Sequence, residues 1–229
     1  MSRGRSVELL VEEQARRWQL RRGAQGAGPS RGIVALSYLP GAPGEEVAQR
    51  LSEALGFDLF DRQILQEIAR STHLSERVVA ALDERGRSWL GDWLGSLTSE
   101  SHLSTYSYLA QLRTVVGAIA RHGGAVIVGH AAHAMLGPER ALRVLVVAPF
   151  EDRVAAVATA QGLEPSAARD RVLAEEAERH GFLERHFHAP LREPEHFDLV
   201  VNARTLGVRG AVDAILTAAG RVVGSRPGA

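Results

Sequence analysis

Five short apolar runs, each followed by residues at helical spacing, constrain this chain more than any other feature. They fall at 32–36, 57–60, 125–129, 143–148 and 197–201. All but 57–60 hold β-branched residues, all are short for helices, and 125–129 has the look of a strand buried on both faces. Strands alternating with helices predict an α/β fold, a three-layer parallel sheet flanked by helices. Ligands of such sheets sit at the carboxyl ends of the strands.

The first run breaks at Pro40-Gly41-Ala42-Pro43-Gly44, after which Val47, Leu51, Ala54 and Leu55 predict the buried face of a helix stopped by Gly56. Further helices are expected from Asp61-Arg62 through Ala69, over 108–122, after Pro149, over 166–185 and over 208–219. Ser75 is expected as an N-cap. Residues 71–113 carry no strand signal. Trp89 and Trp93, four apart within that stretch, suit a packing face or subunit contact better than a base-stacking platform.

Residues 1–31 hold seven arginines against three glutamates, with Val7, Leu10, Val11, Trp18 and Leu20 near helical spacing. They read as a basic accessory helix and flexible linker, which either leans on the domain or engages a protein partner. The domain is expected over 32–223, with a helical insertion at 72–113, a lid region at 163–194 and a tail at 224–229.

Formal net charge is zero, so no global field draws nucleic acid or an anionic membrane. No apolar run approaches 18 residues and no apolar leader precedes the domain, so a cytoplasmic protein without membrane insertion is expected. Cysteine is absent, which closes disulfide and thiolate chemistry, and all 27 basic residues are arginine. Any mechanism that needs a lysine ammonium is therefore closed too.

The carboxyl end of the first strand reads Ser37-Tyr38-Leu39-Pro40-Gly41-Ala42-Pro43-Gly44-Glu45-Glu46. A strand, a glycine turn and a helix N-terminus can gather N–H groups into a nest for phosphate oxygens. The G-x-x-x-x-G-K-[ST] pattern is nevertheless unmatched: Glu45 and Glu46 stand where a cation and a hydroxyl are needed, and Pro43 removes a donor. A plain βα turn with acidic residues at a helix start fits the same letters.

Taken with Leu59-Phe-Asp-Arg-Gln-Ile-Leu, Ala125-Val-Ile-Val-Gly-His-Ala-Ala, Leu142-Arg-Val-Leu-Val-Val-Ala-Pro-Phe-Glu-Asp-Arg-Val and Phe197-Asp-Leu-Val-Val-Asn, this segment resembles the cytidylate kinase-like family. The series, in unbroken order over about residues 32–218, carries the resemblance. It implies a P-loop nucleoside monophosphate kinase-like fold with a helical insertion and an arginine-bearing lid. It further implies a donor site at Ser37, Gly41, Ala42, Gly44, Glu45 and Glu46, and acceptor contacts from Asp61, Arg62 and His130. Arg179 and Arg185 match lid arginines that neutralise the transferring phosphoryl group, with ATP and Mg²⁺ as cofactors if the site is active. Asn202 matches the polar end of the last core strand.

The chain departs from the family pattern at several cations. Tyr38 follows the first serine where relatives have arginine, His130 stands in the Val-Gly-Arg stretch, and Ala177 and Glu184 replace lid arginines. Each charge-assisted phosphate contact is worth about 1.5–3 kcal/mol. Two main readings follow: a kinase transferring a phosphoryl group from ATP to a pyrimidine nucleoside monophosphate, or a catalytically inactive binding or regulatory module on the same fold. The histidines at 130, 133, 180, 186, 188 and 196 give a third reading, a metal site with Glu176 or Glu184, though their spacing matches no strong zinc motif.

Overall fold

A computed structural model describes residues 12–13, 15–18, 32–70, 72–80, 90, 103–189 and 191–223. The chain divides into two compact units. One comprises 32–59 with the chain from 125 onward, and the other 60–124 with the described N-terminal residues.

The first unit carries the sheet. Its strands are β1 (Ile33–Tyr38), β2 (Asp58–Phe60), β3 (Ala125–Val128), β4 (Leu142–Val147) and β5 (Leu199–Asn202), in the order β2-β3-β1-β4-β5. The β1–β3, β1–β4 and β4–β5 pairs are parallel. As expected for central strands, β1 and β3 are buried nearly throughout. Arg143 fixes the β4–β5 register: its N–H, Nε and Nη2 all donate to the Asp198 carboxylate, while Asp198 N–H donates back to Arg143 O at 2.8 Å.

Helices α1 (Gly44–Leu55) and α8 (Ala203–Val223) cover the sheet through Val47, Leu51, Ala211 and Ile215, which join Val34, Leu36, Val126 and Val144 in one core. Gly56 ends α1 in the left-handed region at φ 61°, its N–H capping Glu53 and Ser52 carbonyls. Ala54, expected on the buried face, is exposed. Ser52 takes that face, its hydroxyl donating to Gln49 O at 2.7 Å. Residues from β1 lead through α1 to β2 on one side, and those from β4 lead to β5 on the other. The crevice of the topology thus lies at the carboxyl ends of β1 and β4.

Helix α5 (Ala132–Arg140) follows β3, and α6 (Phe150–Gln161) and α7 (Pro165–Phe187) follow β4. The last two pack on each other around Val154, Ala168 and Val172, so α7 has a small core of its own.

The second unit is helical: α2 (Arg62–Arg70), α3 (Thr72–Ala80) and α4 (Leu103–His122). Leu65, Ile68, Val78, Leu112 and Ile119 are buried in it. The α4 helix starts five residues before its expected boundary. Ser75 lies inside α3 rather than capping it, because its hydroxyl donates to Ile68 O at 2.8 Å across the α2–α3 joint. Trp18 is buried and stacks on His122 at 3.8 Å between ring centroids. One anchor of the accessory helix is therefore already packed. Trp89, Trp93 and most of residues 1–31 lie outside the described residues. No helix among the described residues is long and apolar enough to cross a membrane.

Candidate functional site

The turn after β1 uses its own donors. Pro40 and Pro43 have no N–H, Ala42 N–H donates to Leu39 O at 2.9 Å, and Gly44 N–H donates to Ala42 O at 2.8 Å. Between 40 and 44, only Gly41 N–H is neither missing nor donated within the turn. A phosphate nest needs several convergent donors; residues 40–44 leave it Gly41 alone, and the first-turn N–H groups of Glu45 and Glu46 would have to supply the rest.

Two glycines make the turn compact. Gly41 sits at φ 82°, and a Cβ there runs into the backbone of Arg153. A Cβ on Gly44 runs into the ring of Tyr38, which lies against the start of α1. The Tyr38 hydroxyl donates to Glu45 Oε1 at 2.8 Å. Burial, then the hydrogen bond to Glu45 and its charge, push the Tyr38 phenol up to about 12, only partly opposed by Arg179. Glu46 forms an i,i+4 pair with Arg50.

Arg179, on α7, reaches this turn. Its Nη1 donates to Tyr38 O at 3.1 Å and its guanidinium stands 5.1 Å from the Tyr38 ring centroid. Arg153, on α6, is 4% exposed and donates from Nη1 to Pro40 O and from Nε to Ala148 O, each at 3.0 Å. The same Nη1 lies 2.8 Å from Glu176 Oε1. Beside the turn is a cavity of about 350 Å³ whose walls include Leu39, Pro40, Glu176, Ala177, His180 and Arg192.

Ser37 is buried, with Oγ 3.2 Å from His133 Nδ1. The other ring nitrogen of His133 faces Ala189 O at 3.4 Å, and the ring stacks on Phe197 at 4.8 Å. Burial, first of all, holds the His133 imidazole down to about 4. A carbonyl only accepts, so in the neutral ring Nε2 carries the proton and Nδ1 accepts the Ser37 hydroxyl proton. Ser37 therefore has no hydroxyl proton left for a phosphate oxygen.

The structure thus brings Ser37, Gly41, Ala42, Gly44, Glu45 and Arg179 to one turn. Arg185 turns back on its own helix, donating to Gly181 O at 2.8 Å. Asp61 belongs to the helical unit, where its carboxylate caps α2 by accepting from Ile64 N–H at 2.8 Å, and Arg62 is exposed at the start of that helix. His130 lies just past β3 in the left-handed region, at φ 50°. Asn202 caps the start of α8 through Arg204 N–H. Among the described residues, no three metal-ligating side chains converge, so the metal reading has no supporting cluster. Sequence reasoning passed over Arg153, although it lies in the Ala-Pro-Phe-Glu-Asp-Arg-Val segment. In the sequence Glu176 reads only as a metal ligand. Neither spacing nor periodicity reveals that the two meet.

A model of the cytidylate kinase-like family matches residues 33–205. No curated protein matches the chain in sequence. Among solved structures, an uncharacterized protein from Eubacterium ventriosum superposes with TM-score 0.65 at 16% identity, over 86% of this chain and 99% of that one. A shikimate kinase from Bacteroides thetaiotaomicron gives TM-score 0.48 at 12% identity, over 82% and 97%. Because the family model spans most of the chain, the chain belongs to the cytidylate kinase-like family.

Proposed function

We propose that this protein is a nucleotide-binding module on a kinase-like fold in which efficient phosphoryl transfer has been lost. The observation that carries the second half is the donor count of the first turn: two prolines, two N–H groups already donated inside it, and Glu45 held by Tyr38 where a phosphate-binding cation is needed. Transfer chemistry depends on preorganised donors and cations around the moving charge. The substitutions at Tyr38, His130, Ala177 and Glu184 remove several more. Losing two contacts at about 1.5–3 kcal/mol each lowers a rate or affinity by roughly two to four orders of magnitude.

The binding half is supported by Arg179, which α7 delivers to the carboxyl end of β1, where ligands of such sheets bind. Calorimetry with ATP, ADP and CMP tests binding, and a coupled assay with ATP, Mg²⁺ and CMP, dCMP or UMP tests transfer. Saturable binding without turnover is the expected result. Arg179 also favours a second reading, an active kinase for a pyrimidine nucleoside monophosphate, because a lid cation over the donor turn is what transfer needs. CMP-dependent ADP release would establish that reading instead.

A further inference from the structure

The chain enters the helical unit after Leu59 and leaves it before Ala125, and the described N-terminal residues belong to that unit rather than to the sheet unit that begins at Gly32. A unit joined by two such crossings opens about them, because hinges are a few residues at the ends of elements. Phe60, the last residue of β2, stands at the first crossing, and His122, the last residue of α4, stands at the second. Trp18 touches both. Its ring stacks on His122 at 3.8 Å and 11° and on Phe60 at 6.1 Å and 26°.

Burial of this N-terminal helix is concentrated in that one ring. Trp18 and Phe60 are each 4% exposed, whereas Ala15 is half-buried and Glu12, Glu13, Arg16 and Arg17 are exposed. A buried indole normally finds an acceptor for its N–H, yet Trp18 Nε1 has no hydrogen-bond partner among the described residues. The apolar gain of seating the ring is therefore set against an unsatisfied donor. A helix held this way is easier to release than one buried along a full apolar stripe. The residues beside the ring's two contacts close the ends of helices. Asp61 accepts Ile64 N–H through its carboxylate and Leu65 N–H through its carbonyl, which starts α2, and Gly123 N–H donates to Ile119 O at 3.0 Å, which ends α4.

We propose that the N-terminal helix is a clasp on the helical unit: Trp18 ties the unit's entry at Phe60 to its exit at His122, and withdrawal of the ring lets the unit open at both crossings while the sheet stays folded. A segment ahead of the domain thus governs an opening within it. The clasp makes no use of a bound nucleotide, so it stands or falls apart from the reading above.

The test is amide hydrogen exchange on the full chain, read by mass spectrometry in the wild type, Trp18→Leu and Trp18→Ala. The N–H groups of Leu65 and Gly123, both donated to main-chain carbonyls, report on the two crossings. Trp18→Ala should speed exchange over 60–65 and over 119–124 about tenfold or more, equivalent to about 1.4 kcal/mol, while β1 and β4 stay within about twofold of the wild type. Trp18→Leu, which keeps apolar bulk and loses the flat face, should fall between. It carries the test alone if Trp18→Ala shows no cooperative melt. Wild-type exchange at both crossings would overturn the proposal, and so would acceleration at one crossing only. Equal acceleration in β1 and β4 would overturn it too, by making Trp18 an ordinary core residue of the whole protein.

Discussion

Arg179 Nη1 donates to the main-chain carbonyl of Tyr38 at 3.1 Å while its guanidinium covers the ring of the same residue. One side chain of α7 thus reads both the backbone and the side chain at the end of β1. Arg179→Ala should lower ATP affinity about tenfold or more, the loss of one charge-assisted contact with its cation. It should cost only about 1 kcal/mol in stability, the net worth of the hydrogen bond to Tyr38 O, since its ion pair with Glu175 is long. Calorimetry and a thermal melt on the same preparation separate the two effects.

Gly44 and Tyr38 form a packed pair that a double-mutant cycle can read. Gly44→Ala forces a methyl into the Tyr38 ring and should destabilise by about 1–3 kcal/mol, as overpacking does. Tyr38→Gly removes both the ring and the Cβ that stand in the way, so adding Gly44→Ala to it should cost much less, giving a coupling of about 1 kcal/mol or more by denaturant unfolding. Additive costs would mean that the Tyr38 side chain does not occupy that space.

The phenol of Tyr38 titrates only at about 12 in the folded protein, against 10.0 ordinarily. A group whose folded pKa is raised contributes stability that is complete below the unfolded value and lost as pH rises through the folded one. Stability should therefore fall between about pH 10 and 12, and Tyr38→Phe should flatten that fall. Tyrosinate absorbance in the two proteins assigns the high-pH step.

His133 shows the opposite case. Its folded pKa is depressed to about 4, chiefly by burial, with His196 and Arg143 the charged groups that also oppose protonation. Its contribution is present above about pH 6.5 and lost as pH falls toward 4. Nitrogen NMR should find a neutral ring protonated on Nε2 at pH 5.5. A charged ring there would contradict the Ser37 hydroxyl assignment. His133→Ala should destabilise by about 2–4 kcal/mol, from a cavity and an unpaired Ser37.

Arg153 is the most buried cation of the site, and Glu176 depends on it. Arg153→Ala should cost about 3–5 kcal/mol in denaturant unfolding, because it strands a buried carboxylate and two carbonyls. Arg185→Ala, where the side chain only caps its own helix turn, should cost under about 0.5 kcal/mol.

Local pattern carried the framework and stopped at long-range contacts. Apolar runs located all five strands within a residue or two, and Gly56 ended α1 where expected, because apolar strands, buried on both faces in β1 and β3, and left-handed caps leave marks in adjacent residues. Ser75 misled, since a serine near a helix start and a serine bonding across a helix joint look alike in sequence. The weakness of the first turn was visible in Pro43 and Glu45. That Tyr38 fills the space over Gly44 was not. The meeting of Arg153, Glu176 and Arg192 joins two helices and the segment that follows them, and no periodicity encodes it.

The central claim is binding without efficient transfer, and one experiment reads both halves: wild-type protein with ATP, Mg²⁺ and CMP, followed for ADP release beside a calorimetric titration of ATP. The account predicts saturable ATP binding, weakened in Arg179→Ala, with ADP release no faster than in the protein-free control. CMP-dependent ADP release that disappears in Arg179→Ala would contradict it and make the protein a working kinase.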